Sequence, residues 1–139
     1  MIYIADGTPV AALVRGDRGL NEVALKKLLG ATELNMAREG QIQQATGGPS
    51  GFSGPRGLAF QVVGDSELKG AVGMVVGANE LDAHLTGFDL ARDANIEQYA
   101  ALRLAEAGDS CARCENGTYR QFRGIEVGHV FLLGTKYSE

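Results

Sequence analysis

Apolar residues fall in short runs punctuated by glycine, aspartate, asparagine and proline, a pattern of many brief strands and few helices. Ile2-Tyr3-Ile4, the turn Asp6-Gly7-Thr8 and the run Val10 to Val14 predict a hairpin over 1–15. The second run does not alternate, which suits a strand buried on both faces. The first strand starts at the first residue, so the chain reads as cut out of something longer. Leu20, Val23, Leu25, Leu28 and Leu29 mark one face of a helix over 20–29, with Asn21 as N-cap and Gly30 at its C-terminus. A short strand over 32–36 and a polar helix over 37–46 follow. Further strands are expected at Leu58 to Val63, Val72 to Val76 and His84 to Phe88, with a helical turn from Ser66 to Gly70. Residues 95–107 read as either helix or strand. Tyr119 to Phe122 and Ile125 to Leu133 read as strands broken at Gly124 and Gly128. The expectation is an α/β (α+β) fold, a mixed β-sheet with flanking helices and strands near 1–5, 9–15, 58–64, 72–77 and 117–133.

Composition narrows the class. A chain of 139 residues, 45% hydrophobic and 22% charged, fits one globular domain and excludes a disordered tail. The net charge of −4 lacks the positive excess of a domain that lives on duplex backbone contacts, so DNA is not an expected partner. No apolar run approaches the roughly 20 residues of a membrane span, and the N-terminus has no basic secretion-signal region. Two cysteines without such a signal point to a reducing cytoplasm. Glycine, at 20 residues, stands at about twice the usual share.

Much of that glycine lies in residues 47–57, a segment that cannot be regular structure. Glycines let backbone N–H groups approach an anion or nucleotide closely, yet no Gly-Lys-Ser/Thr follows, so this is not a P-loop. Local chemistry leaves a connector and a ligand-contacting loop both open. His84, just after the Gly77-Ala78-Asn79 turn, could hydrogen-bond a substrate or move a proton, or be a plain surface histidine. Asp65, between a strand and a turn, suits an N-cap over Ser66-Glu67. Cys111-Ala112-Arg113-Cys114 offers two thiolates, but a structural zinc site needs four ligands; His129 could be a third and no fourth is evident, so no metal site is expected. Arg15-Gly16-Asp17 spells an adhesion tripeptide, which without a secretion signal is chance.

Several blocks carry a resemblance. The run from Arg123 to Glu139 is similar to the segment by which bacterial-type prolyl-tRNA synthetases return from an inserted editing domain to their class II core. Leu13-Val14-Arg15-Gly16-Asp17 with Leu20-Asn21-Glu22-Val23 resembles the start of that insertion. Gly51-Phe52-Ser53-Gly54-Pro55 resembles its Gly-x-x-x-Pro loop. Gly77-Ala78-Asn79 with His84, Gly87 and Arg92-Asp93 resembles its histidine segment, and Gly108-Asp109 with the cysteines the stretch before the exit. The resemblance implies the fold shared with free-standing aminoacyl-tRNA deacylases, with residues 1–122 as editing domain and 123–139 as exit segment.

By the same resemblance the function is hydrolysis of mischarged alanyl-tRNA(Pro) in a size-excluding pocket. The partners are the alanine-bearing tRNA acceptor end and the other synthetase domains, with no membrane. Gly51, Phe52, Ser53, Gly54, Pro55, Gly77 and Asn79 would bind substrate; His84 and Asp65 would form the catalytic set, His84 shaping the pocket. Editing needs no cofactor; ATP would serve only the catalytic core, to which His129 and Thr135 would belong. The family's functional lysine lies upstream of the first strand and has no counterpart here; Lys26 and Lys27 are not substitutes. Ala24 and Leu85 stand where relatives often carry lysine and tyrosine. The chain is therefore expected to keep the pocket and be a weaker catalyst. Two alternatives stay open: a catalytically silent insertion that positions the acceptor arm or supports the core, and a small zinc-binding module resting on Cys111 and Cys114.

Overall fold

Three adjacent apolar segments decide the architecture, because each must bury both faces. They are β1 (Ile2–Ala5), β2 (Thr8–Leu13) and β4 (Val62–Asp65). In the computed structural model, which describes residues 1–111, 114, 116–132 and 134, they sit side by side in a five-stranded sheet. Its order is β3-β1-β2-β4-β7, with β3 at Leu34–Met36 and β7 at Gln98–Ala100. β1 pairs antiparallel with β2 and β3, while β2–β4 and β4–β7 are parallel. The mixed sheet expected from the pattern is therefore present. The chain divides into two compact units, Met1–Leu104 and Ala105–Glu139, and the sheet lies in the first.

Side chains alternate across this sheet. Tyr3, Val10, Ala12 and Val63 point to one face and pack with Leu25 of α1 (Glu22–Leu29) and with Leu102. Ile2, Ala11 and Val62 point to the other and meet Ala37 and Ile42, the latter from α2 (Glu39–Thr46). Both faces of β2 are closed, as its unbroken apolar run requires. α1 is capped as its sequence indicates: the Asn21 side chain accepts from the Ala24 N–H at 3.1 Å, and Gly30 closes the C-terminus at φ 64°. The Tyr3 hydroxyl donates to Glu22 Oε1 at 2.9 Å, and burial beside that carboxylate pushes the phenol up to about 12.

β5 (Met74–Gly77) and β6 (His84–Phe88) form a separate antiparallel hairpin, so the strand expected near 72–77 as part of the mixed sheet lies outside it. Phe88, Leu68 and Leu90 of α3 (Leu90–Asp93) join it to Leu13, Ile96 and Tyr99. Arg92 binds both Asp89 and Asp93, and Asp93 also accepts from the Asp89 N–H at 2.9 Å.

Two further expectations are corrected and one open reading is resolved. Residues 58–61 add no strand: the ladder begins at Val62, while Leu58 and Phe60 cover the sheet with their side chains. Residues 95–107 resolve as β7 followed by a strap with one bridge, Leu20 to Arg103. The strands expected at Tyr119 to Phe122 and Ile125 to Leu133 are not formed among the described residues, where only the bridge between Ser110 and Thr118 appears. A strand needs a neighbouring ladder and a face to bury; Ile125, Val127, Val130 and Leu132 are instead more than nine-tenths exposed. Leu133 and Thr135 to Glu139 lie outside the described residues.

Asp65 is the buried carboxylate of the sheet. Oδ1 accepts from Glu67 N–H at 2.9 Å, and Oδ2 from Leu102 and Arg103 N–H at 2.7 and 2.8 Å. It is the expected N-cap, and it also clamps a strap 37 residues away in sequence. Asp65→Asn replaces an acceptor by a donor facing backbone N–H groups, so urea unfolding should show a loss of about 2 kcal/mol or more. A second test uses acid. Arg92 holds Asp93 down at about 2, from an ordinary 3.8. A depressed carboxylate contributes stability above its unfolded value and loses it as pH falls through the folded one. Wild type should therefore shed stability between about pH 4 and pH 2, and Asp93→Asn should have a flatter urea midpoint over that window.

Candidate active site

The glycine-rich segment between α2 and β4 is held in one shape by the β5–β6 turn. Gly54 lies so close to the Gly77 carbonyl oxygen that a β-carbon there would collide with it, and one on Gly77 would strike the Phe52 carbonyl. Glycine is required at both places because backbone meets backbone. Asn79 makes the join specific. Its Oδ1 accepts from Gly54 N–H at 2.8 Å, its Nδ2 donates to Arg56 O at 3.2 Å and its backbone N–H donates to Phe52 O at 2.9 Å. It holds φ at 62°, a left-handed conformation that asparagine tolerates better than most residues. Glu39 of α2 adds a further tie by accepting from Ser50 N–H at 3.0 Å.

A cleft of about 400 Å³ opens beside this loop. Ser53, Gly54 and Pro55 form one wall and Val76 and Gly77 of β5 another, with Ala11 and Leu13 of β2 and Leu90 also in the lining. The lining residues are apolar apart from Ser53 and from Arg15 and Arg18, where the chain leaves β2; Met1, whose terminal amine donates to Ala12 O at 2.9 Å, also belongs to the lining. Arg15 is bidentate to Asp17 at 2.6 and 2.7 Å, which holds that carboxyl down at about 2. Glu67 lies 3.7 Å from Arg15 and pairs with Arg103 at 3.1 Å.

The residues singled out in the sequence divide into three groups. Ser53, Gly54, Pro55 and Gly77 line the cleft together. Gly51, Phe52 and Asn79 belong to the loop and its staple, outside that lining. His84 pairs with Gly77 across the hairpin and is exposed, its ring 5.7 Å from that of Phe52 and edge-on at 67°. Asp65 is away from the lining, with its carboxylate bonded to backbone. From the sequence, Arg15 and Arg18 read as two of the few basic residues able to meet tRNA phosphates, and not as part of a cleft. The signal that could have marked them is an arginine directly following a buried strand, where a sheet end commonly opens a cleft.

The described lining contains no histidine, cysteine or carboxylate. Such a site can hold a small apolar group and position a polar or anionic one, but supplies no base–nucleophile pair. Residues 1–92 match the family described as the aminoacyl-tRNA editing domain. The chain belongs to that family. The editing domain is also 55% identical, over its whole length, to a proline–tRNA ligase of Nitratidesulfovibrio vulgaris (strain Hildenborough), and 52% identical to one of Geobacter sulfurreducens. It spans 24% of each of those two relatives. Its fold is shared with the crystal structure titled hypothetical protein APE2540, at a TM-score of 0.62 and 23% identity, over 75% of this chain and 71% of that one. No helix among the described residues is long and apolar enough to cross a membrane.

The staple in the editing domain is testable by substitution. Asn79→Ala removes two side-chain bonds and strains the left-handed backbone, and should cost roughly 1–3 kcal/mol in thermal or urea unfolding. Asn79→Asp keeps the acceptor for Gly54 and should lose less. Asn79→Gly relaxes the backbone but not the missing bonds, and should fall between them.

Proposed function

We propose that this editing domain hydrolyses alanyl-tRNA(Pro) and acts as part of a proline–tRNA ligase in the cytoplasm. The observation that carries the reading is the glycine–proline loop, pinned by Asn79 beside an apolar cleft, in a chain of the editing family with proline–tRNA ligase relatives. A synthetase pocket built for proline rejects the smaller alanine by only about 1–3 kcal/mol, so a second site selecting by size is required. The apolar lining suits the alanine methyl group, and Arg15 and Arg18 suit the anionic acceptor end.

In the reaction water adds to the ester carbonyl, the bond to the ribose oxygen breaks, and that oxygen leaves with a proton. No histidine or carboxylate stands in the lining, so the neighbouring ribose hydroxyl orients the water and the loop backbone holds the ester. Gly51 to Pro55, with Gly77 and Asn79, bind and orient the acceptor end. His84 sets selectivity from the hairpin beside the loop. Asp65 is a positioning residue, acting through the strap and turn it clamps. The remaining synthetase domains supply most of the tRNA affinity, since the basic residues here are few.

The test is hydrolysis of alanyl- and prolyl-tRNA(Pro) by this chain and by a version lengthened upstream to include the family's lysine. His84→Ala in the longer version should admit proline, reducing selectivity by about 1–3 kcal/mol while alanine hydrolysis continues. Full selectivity with a slower alanine rate would instead place His84 in the chemical step. Failure of both wild-type versions to hydrolyse alanyl-tRNA(Pro) would favour the silent insertion that only positions the acceptor arm.

A further inference from the structure

The second unit carries the chain's two cysteines, separated by two residues and followed by Gly117. Backbone bonds pair the described residues on either side of them. Gly108 N–H donates to Tyr119 O at 2.9 Å, Tyr119 N–H to Asp109 O at 2.8 Å and Cys111 N–H to Gly117 O at 2.7 Å. The start of this pairing is fixed by Asp109, whose carboxylate accepts from Glu106 N–H at 2.8 Å. Both cysteines are thiols, Cys111 half-buried and Cys114 exposed. The position a β-carbon would take on Gly117 lies 2.5 Å from Cys114 Sγ and 4.0 Å from Cys111 Sγ. Both sulfurs thus converge beside one α-carbon, on the side where glycine leaves room.

We propose that Cys111 and Cys114 are a reversible dithiol–disulfide site that exchanges with low-molecular-weight disulfides. The exposed Cys114 acts first. Its thiolate attacks one sulfur of the small disulfide, forming a mixed disulfide and releasing one thiolate, which takes up a proton. Cys111, giving its proton to solvent, then attacks the Cys114 sulfur and expels the second small thiolate. Two electrons and two protons pass to the small disulfide, which becomes two thiols, and an intramolecular bond joins Cys111 to Cys114. Exposure sets the order, because the attacking sulfur must be reached from solvent and the resolving one need only reach its neighbour. Two sulfurs suffice for this chemistry, whereas a closed zinc site needs four ligands.

The test is intact-mass spectrometry of the whole chain, acid-quenched and alkylated after equilibration in graded mixtures of oxidised and reduced glutathione. Wild type should lose the mass of two hydrogens with no lasting adduct and recover it in the reduced mixtures. Cys111→Ser should stop with one glutathione on Cys114, and Cys114→Ser should react several-fold more slowly. Gly117→Ala displaces Cys114 Sγ and should accumulate the mixed disulfide that wild type resolves, an effect that simple thiol exposure would not give. Wild type that stays a dithiol in excess oxidised glutathione, or stops at the adduct, overturns the proposal. So does a zinc ion that both thiols retain through dialysis. None of these readouts involves tRNA hydrolysis, so the site stands or falls apart from the editing reaction.

Discussion

One buried carboxylate organises the first unit. Asp65 ends β4 and accepts three backbone N–H bonds, one from the turn that follows and two from the strap after β7. That strap is also joined to the edge of the first segment: Leu102 O accepts from Asn21 N–H at 2.7 Å and Leu104 N–H donates to Gly19 O at 2.7 Å. The end of β4 and the exit of β7 therefore meet at a single side chain, and the N-cap of α1 joins them through the Leu102 carbonyl. A neutral residue of the same shape could not receive all three donors, because a buried N–H left without an acceptor bears its full desolvation penalty. The parallel β2–β4–β7 core needs such a tie, since parallel neighbours are connected only through long crossovers.

The cleft is assembled by a different device. Its wall is backbone, locked by the close approach of Gly54 to Gly77 and by the Asn79 side chain. Backbone walls allow close contact with a ligand and resist deformation, but bring no base–nucleophile pair. The lining owes its character to shape, apolar surface and two arginines. The absence of Cβ atoms is as much a part of the site as any functional group.

Legibility followed the range of the interactions. α1 was readable because its cap, apolar face and terminal glycine are all local. The burial of β2 was readable from an unbroken apolar run, and β6 from its alternation. Residues 58–61, 119–122 and 125–132 carry apolar β-formers, which show that a segment is able to pair and not whether a ladder awaits it. Asp65 showed its local role as a cap; the clamp on Leu102 and Arg103 depends on a fold that no window of sequence contains. The loop's place beside the cleft came from resemblance, and the separation of His84 from the cleft lining came only with the coordinates.

The exposed segment around Ile125 to Leu132 bears on how the chain behaves in concentrated solution. Ile125, Val127, Val130 and Leu132 stand almost fully in water, with β-favouring side chains and no proline among them. Segments of that composition are templates for intermolecular strand pairing. Glu126 and the glycines at 124 and 128 interrupt the run and act as gatekeepers against such pairing. A charge placed at exposed Val127 or Val130 would therefore raise solubility at positions that bury no side chain.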